Sequence, residues 1–390
     1  MDKRLAAYRQ EVTTALYDIL HYWQQFTVDI QDGGFYGALN NDNVVLEGSP
    51  KGGVLNSRIL WTFAAAYKFD PQPQFLALAD RAFQYLRTHF NDPAYGGIYW
   101  SVTATGEPLE TRKQVYGQAF LIYALSEYHA IQPSKEVLDW AIDVYRLLEA
   151  HSYDPVDGGY YEAFSREWGP ISDLRLSAKD DNAAKTMNTH LHVLEAYTNL
   201  YRIWPDAELN KKIKQLIELF LNKIIHPVTH QQILFFNTAW EPESAVVSYG
   251  HDIETSWLLY DAAEVLADES LLNKVKENAI LMAKATIAGV EENGGLQYED
   301  DNKEKHWWVQ AEAMVGFFNA WQLSGEEKYL HYSLDTWAFV KKYIIDPEKG
   351  EWYWGVTETL TIMPGQDKAG FWKCPYHNSR ACLELIHRIV

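Results

Sequence analysis

The feature that most constrains this chain is a glycine-rich turn that returns along its whole length. It reads Asp32-Gly33-Gly34-Phe35-Tyr36, then Tyr95-Gly96-Gly97-Ile98-Tyr99-Trp100, then Asp157-Gly158-Gly159-Tyr160-Tyr161-Glu162, at steps of 63 and 62 residues. Later copies are Asn293-Gly294-Gly295-Leu296-Gln297-Tyr298 and Lys349-Gly350-Glu351-Trp352-Tyr353-Trp354, and Thr229-His230-Gln231-Gln232-Ile233-Leu234-Phe235-Phe236 fills the place of a degenerate copy. Each reads as a tight turn leading into alternating aromatic residues, which predicts a short strand or hairpin. Six such units account for all 390 residues. The repeat therefore overrides the two or three domains that length alone suggests and predicts one domain spanning residues 1–390.

Two helical patterns lie between successive turns. One is amphipathic, as in residues 73–88, 135–150, 208–223 and 270–287, with apolar residues at i, i+3, i+4 spacing. The other is apolar almost all round, as in Ile59-Leu60-Trp61-Thr62-Phe63-Ala64-Ala65-Ala66-Tyr67 and Ala119-Phe120-Leu121-Ile122-Tyr123-Ala124-Leu125. A helix without a polar face must be buried. Six buried helices alternating with six amphipathic ones predict an all-α fold of two concentric rings, an (α/α)6 barrel with short β-hairpins in its connections. Successive inner helices then run the same way.

Lys and Arg number 34 against 53 Asp and Glu, a net charge of −19 that repels phosphate backbones and anionic lipid. Nucleic acid and membrane partners are thereby disfavoured. No apolar run reaches bilayer-spanning length, and Met1-Asp2-Lys3-Arg4 opens no signal-peptide core, so a cytoplasmic protein is expected, monomeric or weakly homo-oligomeric. Cys374 and Cys382 are too few for a disulfide framework. The 15 Trp, 25 Tyr and 16 Phe stand out. Such rings fill cores, and they also form platforms for sugar rings.

Each buried helix opens with polar residues: Asn56 and Arg58; Tyr116 and Gln118; Asn188 and His192; His251 and Glu254; Trp308, Gln310 and Glu312; His377, Asn378 and Arg380. Parallel inner helices bring all six sets to one mouth. N-terminal capping accounts for Asn56, Asp252 or Asn378 but not for Arg or His, which the helix dipole disfavours there. Asn188 and His192 are four apart and His251 and Glu254 three apart, so each pair shares a face. His190 points elsewhere and reads as a packing residue. There is no His-Glu-x-x-His and no cysteine pairing, so no metal is expected, and the absence of Gly-x-Gly-x-x-Gly, a P-loop and Gly-x-Ser-x-Gly argues against nucleotide cofactors and serine hydrolysis.

The stretches Lys185-Thr186-Met187-Asn188-Thr189-His190-Leu191-His192-Val193-Leu194-Glu195-Ala196-Tyr197, Ser248-Tyr249-Gly250-His251-Asp252-Ile253-Glu254 and Trp372-Lys373-Cys374-Pro375-Tyr376-His377-Asn378 resemble the cellobiose 2-epimerase family, in the N-acylglucosamine 2-epimerase superfamily. The likeness runs from Asn56 to the C-terminus. It implies the (α/α)6 barrel and cofactor-free epimerisation at C2 of the reducing-end glucose of β-1,4 disaccharides such as cellobiose and lactose. On that resemblance His251 and His377 are the acid/base pair. Arg58, Tyr116, Asn188, His192, Glu254 and Trp372 support them, with Trp307 or Trp308. Glu254 orients His251 or shares in ring opening.

Competing expectations are a mannose 2-epimerase acting on free mannose and glucose, an aldose–ketose isomerase using the same enediolate, an (α/α)6 glycoside hydrolase and a non-catalytic sugar binder. A hydrolase needs two carboxylates about the scissile bond, and the rim offers histidines with only Glu254 and Glu312 as acids.

Overall fold

In the computed structural model, which describes residues 2–390, all six turn copies close alike. One antiparallel bridge spans each: Val28 to Phe35, Asn91 to Ile98, Tyr153 to Tyr160, Ile225 to Gln232, Val290 to Leu296 and Ile345 to Trp352. The degenerate copy is thus a full structural member. Glycine is required where the backbone turns left-handed against a neighbour: Gly97 has φ 68°, and a Cβ there would lie 2.5 Å from Gln118 Oε1. His230 reaches a comparable φ of 58° in the degenerate copy, an uncommon conformation for a residue with a side chain.

Buried ion pairs pin the turns. Lys51 meets Asp29 at 2.7 Å, Lys113 meets Asp92 at 2.8 Å, Lys185 meets Asp154 at 2.7 Å and Lys305 meets Glu291 at 2.6 Å, all four lysines being buried. Asp154 also accepts from the backbone N–H of Val156 and Asp157 at 2.9 and 3.3 Å, which fixes the turn it begins. In the degenerate copy His226 Nδ1 takes over, accepting from Val228 and Thr229 at 3.3 and 3.2 Å, and Val247 stands where a lysine would be.

The helices follow the two patterns. The outer ones are α1 (Lys3–Phe26), α3 (Pro73–Tyr85), α5 (Lys135–His151), α7 (Ala207–Leu219), α9 (Glu269–Thr286) and α11 (Glu327–Phe339). The inner ones are α2 (Gly53–Phe69), α4 (Val115–Ile131), α6 (Met187–Ile203), α8 (Tyr249–Leu266), α10 (Trp307–Ser324) and α12 (Tyr376–Arg388). α7 buries Leu209, Ile213, Leu216 and Ile217, a one-sided stripe, and Asp206 caps it through the N–H of Glu208 and Leu209. α4 buries every residue from Val115 to Tyr128. Three outer helices finish as a wider π turn, at Leu86–Phe90, Phe220–Ile224 and Val340–Ile344, which begins inside the expected stripes 73–88 and 208–223 and hands the chain to the next bridge.

Consecutive inner helices pack on one another, and α12 returns to α1 and α2, which closes the ring. Two-residue strands tie neighbouring repeats: Lys51–Gly52 with Ser101–Val102, Lys113–Gln114 with Ala163–Phe164, Lys185–Thr186 with Phe235–Phe236, and Lys305–His306 with Gly355–Val356. The first-named strand of each pair leads straight into an inner helix, α2, α4, α6 and α10 in turn, and His251 and His377 from the first turns of α8 and α12 stand beside residues of those helices, so the same rim carries all six N-termini. The fold is the predicted (α/α)6 barrel. Among the described residues no helix is long and apolar enough to cross a membrane.

Candidate active site

The entry strands set a register for the inner helices. Five residues beyond Lys51, Lys113, Lys185, Val247, Lys305 and Lys373 stand Asn56, Gln118, His190, Asp252, Gln310 and Asn378. These face structure. Gln118 brackets the backbone of Ile98 with two bonds of 2.8 Å, Gln310 does the same for Leu296 at 2.9 and 2.7 Å, His190 Nε2 accepts from Tyr160 N–H at 2.8 Å, and Asp252 accepts from Gln232 N–H at 2.8 Å. Gln118 and Gln310, expected at the reactive rim, therefore hold the glycine turns, and His190 is the packing residue its direction suggested. Capping does not explain Asn56, Asp252 or Asn378 either. Asn56 donates to Gly52 O and Asn378 to Glu351, and of the six inner helices only α6 has a side-chain cap, Thr186.

Several residues three, four or seven positions beyond the same references turn inward instead. They contribute to a cavity of about 440 Å³ lined by Arg58 from α2, Tyr116 from α4, Asn188 and His192 from α6, His251 and Glu254 from α8, Trp307 and Trp308 from α10 and His377 from α12, with Trp372 just before α12. The cavity size suits a small-molecule site. All ten expected site residues meet there. Glu312 and Arg380 lie beneath it rather than on its wall.

Each imidazole is held at Nδ1, His377 and His192 from below and His251 from the rim. His377 Nδ1 lies 2.7 Å from Glu312, His192 Nδ1 lies 2.9 Å from Glu195, and His251 Nδ1 lies 2.8 Å from Ser248 Oγ. With each Nδ1 engaged, Nε2 remains for a ligand. His251 and His377 stand 4.9 and 5.7 Å from the ring of Trp308, measured between centroids. The expected pairing of Glu254 with His251 does not form. Glu254 accepts from Arg380 at 2.8 Å and lies 3.9 Å from His377 Nδ1, because the helix spacing fixes a shared face but not a shared hydrogen bond.

Arg58 donates to Tyr116 Oη at 2.7 Å and lies over Phe120 and Tyr376 at 4.2 and 5.0 Å. Its Nε and Asn188 Oδ1 have no hydrogen-bond partner within the described residues. Both belong to cavity-lining residues and suit the hydroxyls of a polar ligand. Trp372 packs between Trp100 and Tyr116 at 5.7 and 5.9 Å and is half-buried, leaving ring surface for stacking.

Burial dominates the electrostatics. It pushes His251 down to about 3 and His377 well below the ordinary histidine value, and Arg58 and Arg380 add to the effect on His377. Both are neutral at pH 7 and can act as bases. Burial raises Glu195, but Arg380, His192 and Tyr376 outweigh it and hold the carboxyl at about 2, so Glu195 is ionised. Glu254 is pushed up by burial and by the Glu312 carboxylate, against the pull of Arg380. Glu254, Glu312 and His377 form the one trio among the described residues whose donor atoms all lie within 4.8 Å. Arg380 already sits against both of its carboxylates, at 2.8 and 2.6 Å, so the trio's charge is met by a guanidinium.

Sequence reasoning missed Glu195, embedded in an apolar run. Its signal was the three-residue spacing from His192. It also missed the segment Leu176 to Asp180, Tyr298, Trp354 and Gln366, which line the cavity from loops outside the helix register, and His306, which lines it from the entry strand of α10.

The N-acylglucosamine 2-epimerase (GlcNAc 2-epimerase) family pattern matches residues 34–381. The cellobiose 2-epimerase of Bacteroides fragilis is 44% identical over 384 residues, covering 97% of both chains. The structure of cellobiose 2-epimerase from Bacillus thermoamylovorans B4167 superposes with a TM-score of 0.93 at 41% identity, covering 100% of both chains. A D-mannose isomerase of Marinomonas mediterranea is more distant, 25% identical over 379 residues and 91% of each chain. The chain belongs to the N-acylglucosamine 2-epimerase family, in its cellobiose 2-epimerase group, and is a carbohydrate epimerase.

Proposed function

We propose that this enzyme inverts C2 of the reducing-end glucose in β-1,4 disaccharides, converting cellobiose to glucosyl-mannose and lactose to epilactose, in the cytoplasm and without a cofactor. One observation carries the reading: two neutral imidazoles, His251 and His377, open on one cavity beside Trp308, each with Nδ1 engaged and Nε2 left for the sugar.

The C2 proton is acidic only when the ring is open and C1 is a carbonyl. One group protonates the ring oxygen while another takes the proton of the anomeric hydroxyl, and the C1–O5 bond breaks. One histidine then removes the C2 proton, leaving a cis-enediolate with negative charge on O1. Arg58, always protonated and held by Tyr116, meets that charge with fixed donors, assisted by Asn188 and His192. The second histidine, charged by the proton it took from the anomeric hydroxyl during ring opening, delivers a proton to the opposite face of C2; on ring closure the first histidine gives its proton to O1, the O5 proton returns to its donor, and inversion is complete. Glu254, next to Arg380 and toward His377, serves ring opening rather than the orientation of His251. Trp308 and Trp372 provide the stacking surfaces, with Trp307 packed behind them against Trp354 at 4.6 Å.

Product analysis with cellobiose, β-1,4-mannobiose, glucose and mannose side by side tests this reading. Glucosyl-mannose from cellobiose is expected. Release of glucose would replace it with hydrolysis, and turnover confined to free mannose, giving glucose or fructose, would favour the chemistry named for the D-mannose isomerase relative.

A further inference from the structure

Below the cavity lies a charged layer whose members Arg380, Glu195 and Glu312 do not line it and whose Glu254 does. Its centre is Arg380, buried on α12 and bonded to carboxylates from three other inner helices: Glu195 of α6, Glu254 of α8 at 2.8 Å and Glu312 of α10 at 2.6 Å. Two of those carboxylates each hold an active-site imidazole, Glu195 with His192 and Glu312 with His377. Tyr376 donates to Glu195 as well, and Trp257 Nε1 donates to Glu312 at 3.0 Å. The guanidinium face rests on Trp257 and Tyr376 at 4.8 and 4.3 Å.

We infer that Arg380 is a positioning residue, a single guanidinium that holds the His192–Glu195 and His377–Glu312 couples in one arrangement and one state of charge. This inference rests on the epimerase reading of the cavity above. Three carboxylates converge on one buried cation, and without it they would repel, take up protons or turn away, releasing both histidines. A planar fork can bridge several carboxylates at once, which the point charge of a lysine cannot.

Further charged or titratable groups facing this layer are Arg58 from α2, Tyr116 and Tyr123 from α4, His251 from α8 and Tyr376 from α12 itself. The effect of each change on the histidines therefore has a definite sign. Burial lowers His377 and His192 most, and Arg380 lowers both further, whereas Glu195 acts on both in the raising direction. Loss of Arg380 should move the acid limb of kcat to higher pH. Loss of the Glu195 charge should move it to lower pH.

The test compares full-length Arg380→Met, Arg380→Lys and Glu195→Gln, each first checked for wild-type circular dichroism. For Arg380→Met we expect kcat to fall by about 10²-fold, in the range for displaced acid/base groups, with KM nearly unchanged because Arg380 does not line the cavity. The acid limb should shift upward. Arg380→Lys should return the limb toward its wild-type position while recovering only part of the rate. Glu195→Gln should also slow turnover, with a downward shift. Should Arg380→Met not fold, Arg380→Lys carries the test by a lowered kcat at nearly unchanged KM, and Glu195→Gln by its downward limb shift. Wild-type kcat and an unmoved limb in these variants would overturn the inference, as would a loss expressed wholly in KM. Wild-type enzyme that leaves cellobiose untouched but converts mannose would defeat the disaccharide reading alone. The same limb shifts, followed in the mannose reaction or by NMR titration of the histidine Cε1–H signals, would still decide the role of Arg380.

Discussion

Lys185→Met probes how the repeat turns hold the rim in place. Lys185 Nζ meets Asp154 at 2.7 Å and donates to the carbonyls of Gly158 and Thr238 at 2.9 and 2.7 Å, with both side chains almost wholly buried. Methionine fits the volume but leaves a buried carboxylate and two carbonyls without their donor. Breaking one partner of such a pair costs about 3–5 kcal/mol. Burial drives Asp154 up, but Lys185 and the N–H groups of Val156 and Asp157 more than reverse this, leaving it below its ordinary 3.8. The pair's contribution is therefore complete above 3.8 and lost only as pH falls through the lower folded value. In the variant burial wins, Asp154 takes up a proton in mild acid, and the deficit relative to wild type should shrink between pH 7 and about pH 4. Urea unfolding followed by tryptophan fluorescence should show a lower midpoint with an unchanged m-value. Adding Asp154→Asn should restore at least about 1 kcal/mol by removing the stranded charge. A loss below 1 kcal/mol at pH 7, or a double variant no more stable than the single one, would refute the reasoning.

Three further outcomes are expected. His251→Ala and His377→Ala should each lower kcat by about 10²–10⁴-fold with the fold retained; near-normal turnover in either variant would remove that residue from the mechanism. His190→Ala should leave the chemistry far less affected and instead cost about 1–3 kcal/mol in urea unfolding, because Tyr160 N–H loses its acceptor; a kcat loss equal to that of His192→Ala would contradict its placement. Buried neutral histidines also set an acid limit. His251 has its folded value lowered from 6.5 to about 3, so its contribution is intact above 6.5 and is lost as pH falls toward the folded value. The acid limb of kcat/KM should accordingly lie well below 6.5, and a limb at or above that value would show that the base is charged in the free enzyme.

The barrel was legible because its signals are periodic. Glycine pairs mark each turn, and a buried helix such as α4 has no polar face to confuse the pattern. Of the ten expected cavity residues, Trp307 and Trp372 came only from the family resemblance, whereas eight were legible as a set because parallel helices bring their starts together. Their individual partners were not. Gln118 and His251 both sit in the first turn of an inner helix, yet one bonds the backbone of Ile98 and the other opens on the cavity. What separates them is a one-residue difference in register, five residues beyond Lys113 against four beyond Val247, a rotation of about 100° on a helix. Glu254 shows the complementary limit: three-residue spacing from His251 was visible, but Arg380, 126 residues away, was the stronger partner. Lys179 and Asp180 reach the cavity from a loop that carries no period at all.

The central claim is that one imidazole removes the C2 proton and a second, exchanging with solvent, delivers another. Cellobiose should be turned over in deuterium oxide, with the C2 position of the new epimer read by NMR or mass spectrometry. Nearly complete deuterium at C2 of each epimer formed is predicted, with the rate unchanged after exhaustive chelation. Epimer that retains hydrogen at C2, or activity that vanishes on chelation and returns with a divalent ion, would contradict the two-histidine mechanism.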